Sequence, residues 1–309
     1  MYLPLLPLST PLLLLGLLLL LRRRRRRRPL PLPRLLTLLL LPSLTTARTL
    51  LLPPPPIPPH PSDPPSEYKY FREAGTTNLI LSHYDARFFP GAPLPPHQHL
   101  VALRHLIRSY LVTFERLGAP TWLAHGTLLG WWWGGRVQPW DVDVDAQVLT
   151  GTIGGLVEGG WNGSVHWYKA PGGGRRYLLD INPFYGMVGR GQGLNVIDAR
   201  WIDVENGVYV DITGLREREE GAGDGVVWSC RNAHRYGKGE LWPMRETEFE
   251  GVRARVPGDV EEVLAREYGR GSLTRGEWMG YKWSPGLERW VRKPEIGSAI
   301  APRNDTDDP

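Results

Sequence analysis

Between residues 97 and 117 apolar side chains recur every three to four positions. Leu100, Leu103, Ile107, Tyr110, Leu111 and Phe114 fall on one stripe and Gly118 follows, so the pattern predicts an amphipathic helix that packs on a sheet. Residues 121–125 read as a short strand, and Gly126-Thr127 opens a second helix carrying Leu128, Leu129 and the tryptophans at 131–133. These rings are expected to be core and pocket wall rather than a sugar platform. The period changes to two over residues 141–148, where Val142 and Val144 face one way and Asp141, Asp143 and Asp145 the other, as on a strand. Residues 177–182 read as a further strand and 201–212 as a hairpin around Asn206-Gly207, a dipeptide that favours a two-residue turn. Such a turn sets Asp203 opposite Val210, leaving Asp203 and Asp211 on opposite faces of the ribbon. Asp259 and Glu262 form a capping box for a last helix, with Val260, Val263, Leu264 and Tyr268 as its buried stripe and Gly269 as its stop. Little chemistry is expected of that helix. The glycine-rich stretches 151–163 and 172–174 read as loops over the site.

The carboxylates change what the 141–148 strand means. Three like charges on one face repel, and Asp is depleted from strands. An exposed acidic edge is the plain alternative. A hard cation such as Mg2+ or Mn2+ removes the repulsion and takes oxygen ligands from carboxylates and from substrate phosphates. Just upstream, Gly126-Thr127 at a helix start offers backbone N–H groups and a positive dipole end to an anion. Together they describe a nucleotide phosphate held between a helix start and a metal. Only one of Asp203 and Asp211 can face that site, and each also reads as a turn or edge carboxylate.

With 309 residues and 41% hydrophobic content, the chain allows one sizeable domain or two small ones plus a tail. Residues 1–62 hold no Asp or Glu and nine Arg, including the run at 22–28, and 16 of the 30 prolines fall before residue 66. Removing that +9 from the formal +5 leaves about −4, so the basic character belongs to the tail and the remainder is not a basic nucleic-acid binder. Residues 12–21 and 35–44 compete as membrane signal. The second, behind the arginine run and ahead of Thr45-Thr46-Ala47, has the layout of a secretory signal or anchor. It predicts a lumenal Golgi or secretory-pathway domain, membrane-attached through the N-terminal segment, while an Arg-rich organelle transit peptide reads similarly. The expected organisation is a low-complexity tail over 1–52, a stiff Pro-rich linker over 53–66, a catalytic domain over 67–292 and a disordered tail over 293–309.

Cys230 is the only cysteine, so no intrachain disulfide exists. Asn162-Gly-Ser and Asn304-Asp-Thr are glycosylation sequons compatible with a lumen. Cys230 and His234 make too few ligands for a metal site and read as structural.

Gly126-Thr-Leu-Leu-Gly130, Arg136, Pro139-Trp-Asp-Val-Asp-Val-Asp145, Val210-Asp-Ile212, Phe249-Glu-Gly251, Val256-Pro257 and Glu267-Tyr-Gly269 occur in the order and spacing of the LicD family. Residues 68–291 resemble that family, and the text around Tyr70, His83 and residues 194–203 resembles fungal members related to the yeast mannosylphosphorylation protein. The resemblance implies an α+β fold of nucleotidyltransferase type, a mixed β-sheet flanked by helices. It implies transfer of a phospho-sugar or phospho-alcohol from a nucleotide diphosphate donor, GDP-mannose in the fungal subgroup, to a mannan or other glycan hydroxyl. Asp141, Asp143 and Asp145 would hold Mg2+ or Mn2+, Asp211 would complete the site or take the acceptor proton, and Gly126, Thr127, Arg136 and Trp140 would contact substrate. Gly134-Gly135 departs from the family, whose members carry polar or basic residues there. Two other readings stay open: a catalytically idle regulator of such a transferase, and a GT-A glycosyltransferase using Asp141-Val-Asp143 as its DxD.

Overall fold

The structure is a computed structural model that describes residues 69–170, 173–189, 195–219 and 226–294. The expected tail and linker, and the chain beyond 294, lie outside the described residues. Contacts divide the chain into units Met1–Thr46 and Ala47–Pro309, and all described residues belong to the second. Among the described residues no helix is long and apolar enough to cross a membrane.

The unit is a mixed sheet flanked by helices, an α+β fold. Helix α1, Pro96–Arg116, buries Leu103, Leu106, Ile107, Tyr110 and Phe114 as its apolar stripe requires. It leads through Gly118, at φ +64, to strand β1, Thr121–Leu123. Helix α2, His125–Trp132, follows, then strand β2, Val144–Leu149. The glycine-rich segment expected as a loop is instead helix α3, Thr150–Glu158. Burying Ile153 and Leu156 in the core outweighs the poor helix propensity of its glycines. Strand β3, Val165–Ala170, pairs antiparallel with β4, Gly173–Ile181, so Gly173 and Gly174 also begin a strand rather than a free loop.

Strand β5, Ala199–Asp203, and the long β6, Tyr209–Glu219, form the expected hairpin with a different register. Trp201 lies opposite Val210, and Asp203 bonds Val208, so the turn is longer than two residues. The cause is Asp203 itself: its carboxylate accepts from the Glu205 N–H at 2.9 Å and the Asn206 side-chain amide at 3.0 Å, building a polar turn that displaces the tight one. The main sheet runs β1-β2-β6-β5-β4-β3, with β2 and β6 its parallel pair. Strands β7, Val226–Ser229, and β8, Arg235–Gly237, extend it from the far end of β6. After a single turn α4, Lys238–Leu241, come the hairpin β9, Arg245–Phe249, and β10, Val252–Val256, and helix α5, Val260–Tyr268, capped as expected by Asp259 onto the Glu262 N–H at 3.0 Å. Three strands close the chain as a meander: β11, Glu277–Trp278, β12, Tyr281–Ser284, and β13, Arg289–Arg292.

Candidate active site

The parallel pairing of β2 with β6 puts Asp145 directly opposite Asp211. Facing residues on adjacent strands share a side of the sheet, so two carboxylates stand together on one face. Asp141 and Asp143 are not on that strand. β2 begins only at Val144, and before it residues 138–141 form a turn closed by two 3.1 Å bonds, Asp141 N–H to the Gln138 carbonyl and Gln138 N–H to the Asp141 carboxylate. The expected three-carboxylate strand face is therefore corrected to one carboxylate on the strand and two on its approach. Outside the ladder, those two are free of the spacing that would crowd all three charges.

The four acids still sense one another. Burial pushes Asp145 well above its ordinary 3.8, and the charges of Asp143, Asp211, Asp141 and Glu267 add to it. Burial and then Asp143 raise Asp141 against the lowering N–H of Gln138. Burial also raises Asp211, with Arg200 pulling the other way. Their partners differ. The His83 Nε2 lies 3.1 Å from Asp143, and the Arg200 Nε donates to Asp211 at 2.8 Å. Asp145 lends its backbone N–H to the Thr127 hydroxyl at 2.8 Å, and among the described residues no donor reaches its carboxylate.

His83 and Arg200 tie the face to the N-terminal strap formed by residues 69–94. The strap is pinned by bridges from Glu73 to Asp85 and from Tyr84 to Val208. Burial opposes charge on His83, but the hydrogen bond and charge of Asp143 prevail and raise its pKa. The buried Arg200 guanidinium also donates to Glu73 at 2.9 Å and lies over the Tyr209 ring at 3.7 Å.

Helix α2 starts one residue earlier than expected, at His125, whose φ of +49 is unusual for a residue with a Cβ. His125 Nδ1 meets Glu267 of α5 at 2.9 Å, and the other Glu267 oxygen accepts from the Tyr236 hydroxyl at 2.9 Å. Burial would raise Glu267, but the His125 and Tyr236 bonds outweigh it and lower its pKa. The helix expected to carry little chemistry thus supplies a carboxylate to the site. Its Tyr268, expected in the buried stripe, is 44% exposed and lines two clefts.

One cleft of about 720 Å³ is bounded by His125, Asp145, Asp211, His234, Arg235 and Arg266. A second, about 440 Å³, has Gly126, Trp140, Asp141, Arg275, Trp278 and Trp290 in its wall. A third, about 180 Å³, includes Lys69, His83, Arg200 and Asp211. Of the sequence-derived candidates, the structure brings together Asp141, Asp143, Asp145, Asp211, Gly126 and Trp140. Thr127 is buried with its hydroxyl committed to β2. Arg136 lines a separate cleft with Arg104 and Trp133 whose wall includes none of the four carboxylates. Asp203 lies on the opposite face, fully buried and paired with Arg175 at 2.9 Å. Cys230 Sγ and His234 Nδ1 are 3.3 Å apart.

His83, His125, Arg200, Tyr236 and Glu267 are the members that sequence reasoning missed. The readable hints are His125 beside Gly126 and Glu267 inside the quoted Glu-Tyr-Gly. Their pairing across 142 positions leaves no periodic trace.

The donor set suits a hard divalent ion: clustered carboxylate oxygens, one without a donor and raised in proton affinity by its neighbours. Among the described residues no three His, Cys, Asp or Glu side chains already converge as a ligand cage. Asp143 is turned to His83 and Asp211 to Arg200.

Residues 118–259 match a family model described as LicD/FKTN/FKRP, nucleotidyltransferase domain. The chain is 35% identical over 167 residues to Mannosyltransferase regulator 14 of Saccharomyces cerevisiae, covering 52% of this chain and 18% of that protein. It is 35% identical over 159 residues to Mannosyltransferase regulator 4 of the same yeast, covering 50% of this chain and 13% of that one. The chain thus spans less than a fifth of the length of these curated relatives.

Proposed function

Residues 118–259 form a LicD-family domain, and from that premise we propose that the chain is a metal-dependent transferase that moves a phospho-sugar, mannosylphosphate from GDP-mannose, onto a glycan hydroxyl. The observation that carries this reading is the Asp145–Asp211 pair on adjacent parallel strands, with Asp141 and Asp143 at the strand's entry. A sheet does not keep like charges face to face for stability, so the cluster is retained for what it holds.

Asp141, Asp143 and Asp145 would hold Mg2+ or Mn2+, which when bound neutralises the charge of a diphosphate. The larger cleft brings Arg235, Arg266, His125 and His234 around the same face beside Glu267, a lining that would suit an anionic donor once an ion offsets the carboxylates. Gly126 adds close backbone approach at the start of α2. Asp211 has Oδ1 held by Arg200 and a raised proton affinity, which fits it to take the acceptor proton at Oδ2. The acceptor oxygen then bonds to the sugar-bearing phosphorus, the bridging P–O bond of the diphosphate breaks, and the nucleoside monophosphate leaves. Positioning and charge neutralisation are most of what such a transfer requires.

Incubating the full chain with GDP-mannose, Mn2+ and mannan is expected to release GMP. GDP in its place would mean that the sugar–phosphate bond was cut, as by a DxD glycosyltransferase, and would refute the proposal. A second reading, a regulator without turnover, is favoured by the names of the yeast relatives. Mannosylphosphate on cell-wall mannan unchanged by Asp143→Ala would select it. In either reading the place of action is the secretory pathway, with the membrane reached through the N-terminal segment.

A further inference from the structure

We infer that the aromatic cleft beside Asp141 binds a neutral pyranose chain, the acceptor glycan, and that the C-terminal meander supplies its stacking face. The inference takes its place in the reaction from the transferase reading, but the binding it asserts needs no turnover.

The two clefts that share Tyr268 differ in what lines them, charged groups in one and indoles in the other. The larger sets the carboxylates of Asp145, Asp211 and Glu267 among Arg235, Arg266, His125 and His234. The second opens on Asp141 and offers one cation, Arg275, among four indoles, those of Trp133, Trp140, Trp278 and Trp290. A diphosphate that arrives with a divalent ion suits the first, whose acids take the ion and whose bases take the phosphate. A ligand without charge, with apolar ring faces and polar edges, suits the second, and a sugar ring has that character. The rings are held upright by one another: Trp140 meets Trp290 edge-on at 5.0 Å and Tyr281 at 5.4 Å. Trp278 is left 48% exposed on the rim, with the Arg275 guanidinium 5.3 Å from its ring centre. The exposed half of that indole is open to a ligand entering the cleft that Asp141 also lines.

The meander lies outside the matched family domain, which ends at 259. It docks through Trp283 and Trp290, whose rings lie 5.1 and 5.0 Å from Trp133. Gly134 makes the docking possible. A Cβ there would lie 2.7 Å from the Glu288 carbonyl oxygen and 3.0 Å from the Trp283 ring, and the residue adopts φ +114. The Gly134 departure noted in the sequence is therefore the seat of this wall. A glycan stacked on Trp278 and directed along the cleft presents a hydroxyl at Asp141, the edge of the carboxylate cluster whose Asp145 and Asp211 line the neighbouring cleft.

The test is calorimetric titration of the full chain, wild type, Trp278→Ala and Trp278→Phe, with neutral mannotetraose, and in parallel with GDP-mannose plus Mn2+. Trp278 is half exposed, so its truncation leaves the core intact. The alanine variant is expected to weaken mannotetraose binding by about tenfold, the loss of one stacked ring, with phenylalanine restoring most of it and donor affinity staying within about twofold. Donor affinity lost with mannotetraose unchanged would assign the cleft to the nucleobase and overturn the inference. So would no mannotetraose binding by wild type, or a failure of phenylalanine to rescue. If no nucleotide is released from GDP-mannose, the transferase reading fails while Trp278-dependent mannotetraose binding still stands.

Discussion

Replacing Asp145 by Asn should make the ion-free protein more stable and the ion-loaded protein less so. The carboxylate meets no donor among the described residues, and its backbone bond to Thr127 survives the change. What is lost is repulsion. Adjacent strands lie about 4.8 Å apart. Two facing carboxylates about 6 Å apart, at an effective dielectric of about 20, repel by about 3 kcal/mol. Part of that is already relieved because Asp145 binds a proton more readily than a free aspartate, and Arg200 offsets some of the Asp211 charge. A net gain of about 1–2 kcal/mol remains, which for a domain of this size raises Tm by about 3–6 °C. The assay is thermal melting of the full chain in EDTA and again in Mn2+. An ion at about a hundred times its Kd stabilises the wild type by about 2.7 kcal/mol, and the variant, lacking a central ligand, should gain little. The two proteins therefore exchange rank when the ion is added. A variant that melts lower than wild type in EDTA, or gains as much from Mn2+, would refute the reasoning.

Three other outcomes follow from the same geometry. Asp141, Asp145 and Asp211 have folded-state pKa values raised above 3.8, so the ion-free fold binds more protons than the unfolded chain across that window and its stability falls as pH rises through it; Glu73 and Glu267 are lowered and act oppositely, losing stability as pH falls below 4.5. His99, His105, His166 and His234 are lowered and also lose stability as pH falls, so the aspartate effect is read against Asp145→Asn. In EDTA from about pH 4 to about pH 8 the wild type should fall further below the variant as pH rises, with the Mn2+ increment growing toward high pH, and a gap that narrows would contradict this. Thr127→Val keeps the shape but leaves the Asp145 N–H without its acceptor, and urea unfolding should show a loss of about 1–3 kcal/mol with unchanged m. For Gly174→Ala a Cβ would fall 1.7 Å from the Trp167 ring and for Gly130→Ala 2.6 Å from the Arg136 carbonyl oxygen, yet the nearer clash should be the cheaper, because Trp167 is 49% exposed and can swing away whereas backbone cannot; losses under about 1 and of about 3 kcal/mol respectively are expected in the same assay.

Much of the fold was readable where one physical cause dominates. The stripe of α1 and the Asp259 cap of α5 are short-range patterns, and both elements form where their residues predict them. α3 was not readable, because its glycines argue for a loop and only tertiary burial of Ile153 and Leu156 argues for a helix. The hairpin register escaped because Asn206-Gly207 signals a tight turn while the neighbouring Asp203 carboxylate builds a longer one. Within the site, the carboxylates announce themselves by an alternation no ordinary strand keeps. Their controllers do not, since His83 and Glu267 reach Asp143 and His125 from distant segments and Arg200 meets Asp211 only through the hairpin register that the sequence misread. The role of Gly134 became explicable only once the meander was seen resting on it.

The parallel register of β2 and β6 also dictates when the site can exist during folding. Parallel neighbours need a long crossover, and here that crossover is α3 with β3, β4 and β5. Asp145 and Asp211 meet only when the loop that holds those elements closes, a non-local contact that costs more entropy than the hairpins within it. A nascent chain that ends before β6 carries the aspartate motif without its counterpart, Asp211.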